Sequence, residues 1–197
     1  MSAGGFSLPR PVPGTRRDGA TARVEAVTEL VEREAGSLLD YFLRRTTTPA
    51  DAADLLGETL LVVWRRERSI PDDPTKARMW LFGVARKVFA GQRRTHARRT
   101  ALTQRLGEEL SVQGSAPDDG DLTARVRSVL ELLDEIDQEI IRLAYWDGFS
   151  LAEVAEILSM RPATVRSRHA RARAKLRSWL DAEGAGLGIR TADAENG

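Results

Sequence analysis

Apolar residues recur every three or four positions along most of this chain, a spacing that predicts amphipathic helices. One such stripe begins at Val24, and others lie within residues 49–66, 77–99 and 123–133. No stretch shows the sustained alternation of apolar and polar residues that marks a half-buried strand. The pattern therefore predicts an all-α fold.

The stretch from Ser150 to Leu180 predicts two helices joined by a tight turn. Ser150 can cap the first of them, and Glu153 three residues later would complete a capping box. Pro162 suits the first position of the second helix because its missing N–H would be unpaired there in any case. A short helix, a tight turn and a longer helix are typical of a helix-turn-helix.

The second of these helices is strongly basic: from Arg161 to Leu180 there are seven Arg or Lys and no Asp or Glu. At about 100° per residue, one face is apolar and is expected to pack inward. Its members are Val165, His169, Ala172 and Leu176. The opposite face is a stripe of small residues, Ala163, Ser167, Ala170 and Ala174. A solvated helix of a bundle is the alternative, but the capping box, the turn and the small stripe together favour DNA binding.

Two further helices carry their own start signals. Thr48 can cap the helix that begins at Pro49, and Asp137 is a candidate cap in the second half. The positions of the first helix predicted to lie in the core are Leu55, Leu56, Leu60, Val63 and Trp64. Those predicted to face outward are Asp54, Glu58 and Thr59.

The helix predicted over residues 77–99 interleaves aromatic and basic residues. Trp80, Phe82 and Phe89 could stack on single-stranded bases while neighbouring arginines hold the phosphates. The alternative is a core aromatic stripe beside a solvated basic face. That alternative is favoured for Trp80, and both remain open for the arginines.

Charge and composition narrow the class of protein. The net charge of the 197 residues is only +1, but acidic residues crowd 118–139 while bases crowd 86–105 and 161–177, so two basic surfaces are expected. The absence of cysteine excludes disulfides, thiolate metal sites and a cysteine nucleophile. No apolar run approaches membrane length and no signal peptide precedes the first helix, so we expect a cytoplasmic protein without membrane insertion or cofactor.

The pattern divides the chain into two small helical domains joined by a flexible linker. We expect a disordered segment over 1–22, a first domain over 23–99, a linker over 100–121, a four-helix second domain with the helix-turn-helix over 122–182, and a disordered tail over 183–197. If extended, the linker could reach roughly 70 Å, so the two domains need not touch.

Three motifs, taken in order, resemble one family. They are ADLLGET at 53–59, RMWLFGVARK at 78–87 running on into Arg93 and Arg94, and the pair FSLAEVA at 149–155 with ATVRSR at 163–168. Together they are similar to the bacterial RNA polymerase sigma factors of the extracytoplasmic-function (ECF) type, over about Val24 to Leu180. Proteins of this family consist of two helical domains joined by a linker.

The resemblance implies a promoter-specific initiation factor without catalytic activity, which reads the −10 and −35 elements and assists strand opening. Its implied partners are promoter DNA, core RNA polymerase through the clamp helices of the largest subunit and through the flap, and an anti-sigma factor if one exists.

The implied polymerase contacts are Asp54, Gly57 and Glu58. The implied −10 and single-strand contacts are Arg78, Trp80, Phe82, Arg86, Lys87, Arg93 and Arg94, with a base captured near the loop 67–75. The implied −35 contacts are Thr164, Arg166, Ser167, Arg168, Arg171, Arg173 and Lys175.

The sequence departs from the family at four positions. Gly57 stands where the family often has Gln, Lys87 where Asn is frequent, Gly91 where Asp is usual and His169 where an aliphatic residue is usual. The first departure bears on the polymerase contact and the next two on −10 specificity. His169 is interpreted as a packing residue rather than a pH switch.

Three other classes of protein fit the sequence less well. A helix-turn-helix regulator that binds DNA independently of polymerase would need a receiver or ligand-binding domain in place of residues 24–99, and the alternating strands and helices of a receiver are missing. A nucleic-acid hydrolase would need a phosphate loop, a metal cluster or a nucleophile–base pair, none of which the sequence offers. An anti-sigma-like adaptor would lack the basic helix.

Overall fold

A computed structural model of the protein describes residues 15–105, 126 and 128–192, with side chains described over 21, 23–98, 126 and 128–180. The α-helices are α1 Thr15–Leu43, α2 Pro49–Arg65, α3 Pro74–Arg105, α4 Glu135–Tyr145, α5 Leu151–Leu158 and α6 Pro162–Ala192, with a 3-10 turn at Glu67–Ser69. Residues 128–131 are also helical. The described part contains no strand, so the all-α prediction is confirmed. None of its helices is apolar enough, over a sufficient length, to cross a membrane.

Two of the three predicted helix starts are confirmed. The hydroxyl of Thr48 accepts a hydrogen bond from the backbone N–H of Asp51 at the start of α2. At the start of α5 the capping box is complete: the Glu153 carboxylate accepts from the Ser150 N–H at 2.7 Å, and the Ser150 hydroxyl accepts from the Glu153 N–H at 3.3 Å. Three backbone N–H groups at these helix ends thereby gain partners that Ala would not supply.

The prediction that Asp137 caps a helix is wrong. Asp134 caps α4, because its side chain accepts from the backbone N–H groups of Ile136 and Asp137. Asp137 itself lies inside the first turn and is buried. Several acids stand close together here, and the one whose backbone is extended, Asp134, takes the capping position.

Three helices are longer than the pattern predicts. α1 begins inside the segment 1–22, α3 continues to Arg105 inside the predicted linker, and α6 continues to Ala192 inside the predicted tail. None of these added stretches contains proline, so nothing interrupts the backbone hydrogen bonds. The remaining parts of those predictions, residues 1–14, 106–121 and 193–197, lie outside the described residues.

α1, α2 and α3 pack together around an apolar core in the first half of the chain. Its fully buried side chains include Leu38, Tyr41, Phe42, Leu55, Val63, Leu81 and Phe82. Two positions on α2 differ from the prediction: Trp64 is 42% exposed and Thr59 is fully buried. Thr59 can be buried because its hydroxyl donates to the Leu55 carbonyl at 2.7 Å, which satisfies its polar group locally.

The second half folds around α4, α5 and α6. Leu130, Leu133, Ile141 and Ala172 form one small apolar cluster, with Val126, Leu176 and Trp179 packed against it. Gly148, with a φ of 72°, reverses the chain between α4 and α5. Ser159, with a φ of 54°, makes the tight turn between α5 and α6, as expected of a helix-turn-helix.

The two halves are packed against each other. A single cluster of buried apolar residues runs from Val27 in α1 to Val165 in α6, and α3 contacts α5 directly. The linker length allowed the halves to stay apart, but the structure joins them through Phe82 and Phe149, whose ring centroids lie 4.9 Å apart.

Candidate nucleic-acid interface

The outer face of α6 is a basic surface made of exposed side chains. Ala163, Ser167, Ala170 and Ala174 are exposed, as the angular analysis predicts. Arg166 and Arg171 are also exposed and flank this small-residue stripe. Small residues let a helix approach a surface closely, and flanking arginines can donate to guanine edges or to phosphates. Thr164, Arg173 and Lys175 are exposed nearby.

The inner face of α6 is held by apolar packing. Val165 and Ala172 are fully buried. His169 is half-buried, and its ring stacks on Tyr145 with the centroids 5.7 Å apart. Burial lowers the pKa of His169, and the nearby positive charge of Arg173 lowers it further. The neutral imidazole is therefore the favoured form in the folded protein.

Arg168 differs from the other arginines of α6 because its guanidinium turns back onto the domain. Its Nη1 donates to Asp137 Oδ1 at 2.7 Å and to Asp134 Oδ2 at 3.0 Å. These hydrogen bonds raise the pKa of Arg168, and the pKa of Asp134 is lowered by its cap bond from the Asp137 N–H and by Arg168. In this structure the side chain joins α6 to α4 instead of projecting into solvent.

A second basic surface lies along α3. Lys87, Arg93 and Arg94 are exposed, while Trp80 and Arg86 are half-buried. Trp80 and Lys87 line a cleft of about 310 Å³ beside the loop that precedes α3. Residues Glu156, Ile157 and Ser159 from the α5 region form the opposite wall of this cleft.

Two predicted contact residues on α3 face the other half of the protein. Phe82 is fully buried between Tyr41 and Phe149, so it cannot stack on a base in this structure. Arg78 donates to the Glu34 carboxylate at 3.0 Å and to the carbonyl oxygen of Asp147 at 2.7 Å.

Arg93 also spans the two halves, but at the surface. Its Nη2 lies 2.6 Å from Oε1 of Glu135, and both side chains are more than half exposed. This hydrogen bond and the charge of Arg93 lower the pKa of Glu135. An exposed pair of this kind contributes little stability, about 0–1 kcal/mol, so Arg93 can exchange its partner readily.

One face of α2 is exposed to solvent. Asp54, Gly57 and Glu58 all lie on it, and a methyl group added at Gly57 would meet nothing within 4 Å. Leu61 and Trp64 continue the same face one and two turns further on, 57% and 42% exposed. An exposed helix face that carries both acidic and large apolar side chains is a candidate protein-binding surface. The helical stripe in the sequence predicts Trp64 to lie inward, so the apolar part of this face is not evident from the sequence alone.

The polar cluster between the halves was also missed. The Arg45 side chain, fully buried, donates from Nε to Glu139 at 2.9 Å and from Nη2 to Asp147 at 3.2 Å. The Tyr41 hydroxyl donates to Glu139 at 2.9 Å. Burial raises the pKa of Tyr41. Burial also disfavours the charged form of Arg45, but the neighbouring Glu139, Tyr41 and Asp147 more than offset this effect, so the pKa of Arg45 is raised. No helical stripe marks such residues, because their partners lie about a hundred positions away in sequence.

The described part of the chain offers binding surfaces but no grouped metal ligands. Within it, no group of three or more His, Cys, Asp or Glu side chains could hold a metal ion. What it presents is a basic helix with a small-residue stripe, a basic helix beside a cleft, and an acidic and apolar helix face.

Comparison with known proteins matches the two halves of the chain to two family models. The family model for sigma-70 region 2 matches residues 30–99, and the model for sigma-70 region 4 matches residues 123–176. The ECF RNA polymerase sigma factor SigL of Mycobacterium tuberculosis is 31% identical over 152 residues, which are 76% of this chain and 85% of SigL.

Two solved structures share the fold. A structure of CnrH, a sigma factor also known from Cupriavidus metallidurans, in complex with the cytosolic domain of CnrY superposes with a TM-score of 0.57 at 28% identity, over 84% of this chain and 94% of CnrH. The sigma factor RpoE of Bartonella quintana, solved in complex with the anti-sigma factor NepR, superposes with a TM-score of 0.64 at 24% identity, over 80% of this chain and 98% of RpoE.

Proposed function

Because the chain belongs to the ECF sigma factors, which bind core RNA polymerase and direct promoter-specific initiation, we propose which of its surfaces perform each step. The members of this family are not enzymes, and we propose that this chain has no catalytic activity of its own. We also propose that it acts in the cytoplasm, where its polymerase partner and the promoter are found.

The outer face of α6 is proposed to read the −35 element. In a helix-turn-helix the second helix lies in the major groove and its exposed side chains reach the base edges. Arg166, Ser167 and Arg171 border the small-residue stripe and are proposed to contact bases. Thr164, Arg173 and Lys175 are proposed to contact phosphates. Arg168, which is tied to Asp134 and Asp137, is proposed to position the helix instead.

The basic side of α3 and the loop before it are proposed to read the −10 element. Arg86, Lys87, Arg93 and Arg94 are proposed to hold the phosphates of the melted strand, and Trp80 is proposed to contact a base. The cleft beside Trp80 is proposed to receive the extruded base. Extracting a base from the stack takes a few kcal/mol, which contacts inside such a cleft would offset.

The exposed face of α2 is proposed to dock on the clamp helices of the largest polymerase subunit, and the second half of the chain on the flap. Asp54 and Glu58 supply negative charge, and Leu61 and Trp64 supply apolar area that folding leaves uncovered. Gly57, with open space around it, lets a partner helix approach closely.

The observation that most strongly supports the proposal is the outer face of α6. There, exposed arginines flank a stripe of small residues, and the opposite face of the helix is packed against the rest of the domain. The test is transcription in vitro with core RNA polymerase, with and without the protein, on a library of random promoter templates whose start sites are read out. We expect new start sites only with the protein, preceded by two enriched elements.

A second measurement separates the proposed function from that of an independent regulator. The free protein is expected to bind promoter duplex weakly, and its complex with core polymerase tightly, because neither basic helix alone buries much surface. Tight, sequence-specific binding by the free protein at physiological salt would contradict the assignment and favour a regulator that acts without polymerase.

We further propose that an anti-sigma factor restrains this protein. The support is that CnrH, at 28% identity, was solved in complex with the cytosolic domain of another protein. The test is inhibition of the same transcription reaction by extract from uninduced cells of the source organism. We expect an excess of the protein to relieve this inhibition. We expect no relief from an excess of a variant that no longer binds the extracted inhibitor.

A further inference from the structure

Tyr145 and His169 form a stacked pair of rings at the side of α6, the helix proposed to read the −35 element. The ring centroids lie 5.7 Å apart and the ring planes are inclined by 20°. Tyr145 is the last residue of α4 and is 56% exposed, while His169 is half-buried. The pair therefore lies at the surface of the domain, with the tyrosine ring on the solvent side.

Two arginines proposed to contact DNA lie on the same side of α6 as His169. Arg166 is three residues before His169 and Arg173 is four residues after it, so both are its neighbours along the helix surface. Both arginine side chains are exposed. A duplex bound by Arg166 and Arg173 would bring backbone phosphates to the side of α6 that carries Tyr145 and His169.

The carboxylates on α4 and α5, the helices packed against α6, all have other partners or face elsewhere. Glu135 pairs with Arg93, Asp137 with Arg168, and Glu139 with Arg45 and Tyr41. Glu153 accepts from the Ser150 N–H, and Glu156 lines the cleft beside Trp80. Asp134, which caps α4, pairs with Arg168. None of these described acids is thus committed to a charged imidazole.

The charged group that acts on His169 within the described domain is positive. Arg173 and burial both lower the pKa of His169. Arg142, the cation of α4, lies near Arg45, Glu139 and Glu131 instead. An anion that favours the protonated ring must therefore come from outside the protein.

Bound DNA would supply that anion in two ways. A phosphate beside His169 favours the charged imidazole directly, and a phosphate that binds Arg173 offsets the positive charge that disfavours it. Protonation gives the imidazole a second N–H donor, and the phenol hydroxyl of Tyr145 is a further donor on an exposed ring. Tyrosine hydroxyls are among the groups that donate to DNA phosphates.

We propose that Tyr145 and His169 form a further phosphate-binding element of the −35 surface, in which the imidazole takes up a proton from water when DNA binds. The proposal rests on the proposed function of α6. It gives a role to a histidine that stands where the family usually has an aliphatic residue. An aliphatic side chain can pack at this position but cannot carry charge.

Proton uptake makes the affinity for DNA depend on pH in one direction. In the free protein the pKa of His169 is below its ordinary value, and in the complex phosphate raises it. The affinity therefore rises as the pH falls through the pKa of the complex, and it levels off below the pKa of the free protein. A leucine at this position removes that dependence.

The test compares two promoter templates bound by the full-length protein in complex with core polymerase. One template carries both elements and the other is truncated between them, so the ratio of the two affinities isolates the contribution of the −35 element. We expect this ratio to rise about threefold or more from pH 8 to pH 6 in the wild type and to stay constant in His169→Leu. His96→Asn, at an exposed position on α3, is the control and should show the wild-type rise. An equal rise in His169→Leu and wild type would overturn proton uptake by His169.

A second substitution tests the tyrosine hydroxyl without removing the stacked ring. Tyr145→Phe is expected to lower the same ratio about three- to tenfold, evenly across −35 sequences, because a phosphate contact carries no base information. Ser37→Ala removes an exposed hydroxyl from α1 and should leave the ratio unchanged. A wild-type ratio in Tyr145→Phe, or a loss confined to some −35 sequences, would overturn the phosphate contact.

A measurement on the wild type keeps the proposal testable if His169→Leu fails to fold. Titration calorimetry of the polymerase complex in two buffers of different ionisation enthalpy counts the protons taken up on binding each template. We expect greater uptake with the full template, and equal uptake with both would overturn the proposal. If the wild type binds both templates equally at every pH, the proposed function of α6 fails together with this inference. If it prefers the full template by a ratio that does not change with pH, this inference alone fails.

Discussion

Nη1 of Arg168 lies 2.7 Å from Oδ1 of Asp137, so one arginine of α6, the helix proposed to read the −35 element, is bound to a buried carboxylate of its own domain. We expect Arg168→Ala to lower the free energy of unfolding by about 1.5–3 kcal/mol, because it leaves the Asp137 carboxylate largely buried without this charged partner. Urea unfolding measures the change. Arg166→Ala, at an exposed position two residues earlier, is the control and is expected to change stability by about 0.5 kcal/mol or less. Equal effects of the two substitutions would contradict the role of Arg168.

Arg166 and Arg171 are predicted to carry base discrimination at the −35 element. Arg166→Ala or Arg171→Ala should each remove about 1–3 kcal/mol of discrimination at that element and leave −10 preferences unchanged. Lys175→Ala should weaken binding evenly across sequences and reduce the salt dependence by roughly one counterion. Transcription from a panel of −35 variants measures both. A uniform loss on every promoter for Arg171→Ala would show that this residue does not read bases.

The α2 face is predicted to dominate binding to core polymerase. Charge reversal at Asp54 and Glu58 should weaken the affinity for core enzyme, and Trp64→Ala should do the same through lost apolar contact. All three side chains are exposed, so circular dichroism should report an unchanged fold. Charge reversal at Glu32, exposed on α1, is the control. Full affinity in the folded triple variant would refute this assignment of α2.

His169 is predicted to make the protein less stable in mild acid. The folded state lowers its pKa through burial and Arg173, so the unfolded chain takes up the proton first as the pH falls. The stabilisation from the neutral ring is complete above the unfolded pKa of about 6.5 and is lost as the pH falls through and below it. Unfolding free energies at pH 7.5 and 5.5 should differ more for the wild type than for His169→Asn. His96→Asn, at an exposed position on α3, should keep the wild-type difference.

The local signals in the sequence predicted local structure well. The Ser150–Glu153 capping box, the Thr48 cap and the outward stripe of α6 all depend on residues within one or two helical turns. Spacing alone is sufficient for such features, because helix geometry fixes which side chains share a face. The prediction for Asp137 is wrong because several acids within four positions give equivalent local signals. The extended backbone of Asp134 makes that residue the cap.

The contacts between the halves could not be read from spacing. Arg45 lies in the turn just after α1, and its partners Glu139 and Asp147 are distant in sequence. For a charged residue near a helix end, helical periodicity predicts a side chain exposed to solvent, because helix ends are usually exposed. Trp64 shows the converse error: a large apolar residue near the core phase is exposed, on the face of α2 that is proposed to bind polymerase.

The apolar core that runs through both halves determines how the molecule unfolds on heating. Two independent domains would show two thermal transitions, each with its own enthalpy. Here Phe82 and Phe149 belong to one buried cluster, so the free chain should behave as a single cooperative unit, with calorimetric and van't Hoff enthalpies equal. A substitution in the helix-turn-helix would then lower the melting temperature of the first half as well. Heat or a destabilising mutation in either half would therefore inactivate polymerase docking and promoter reading together.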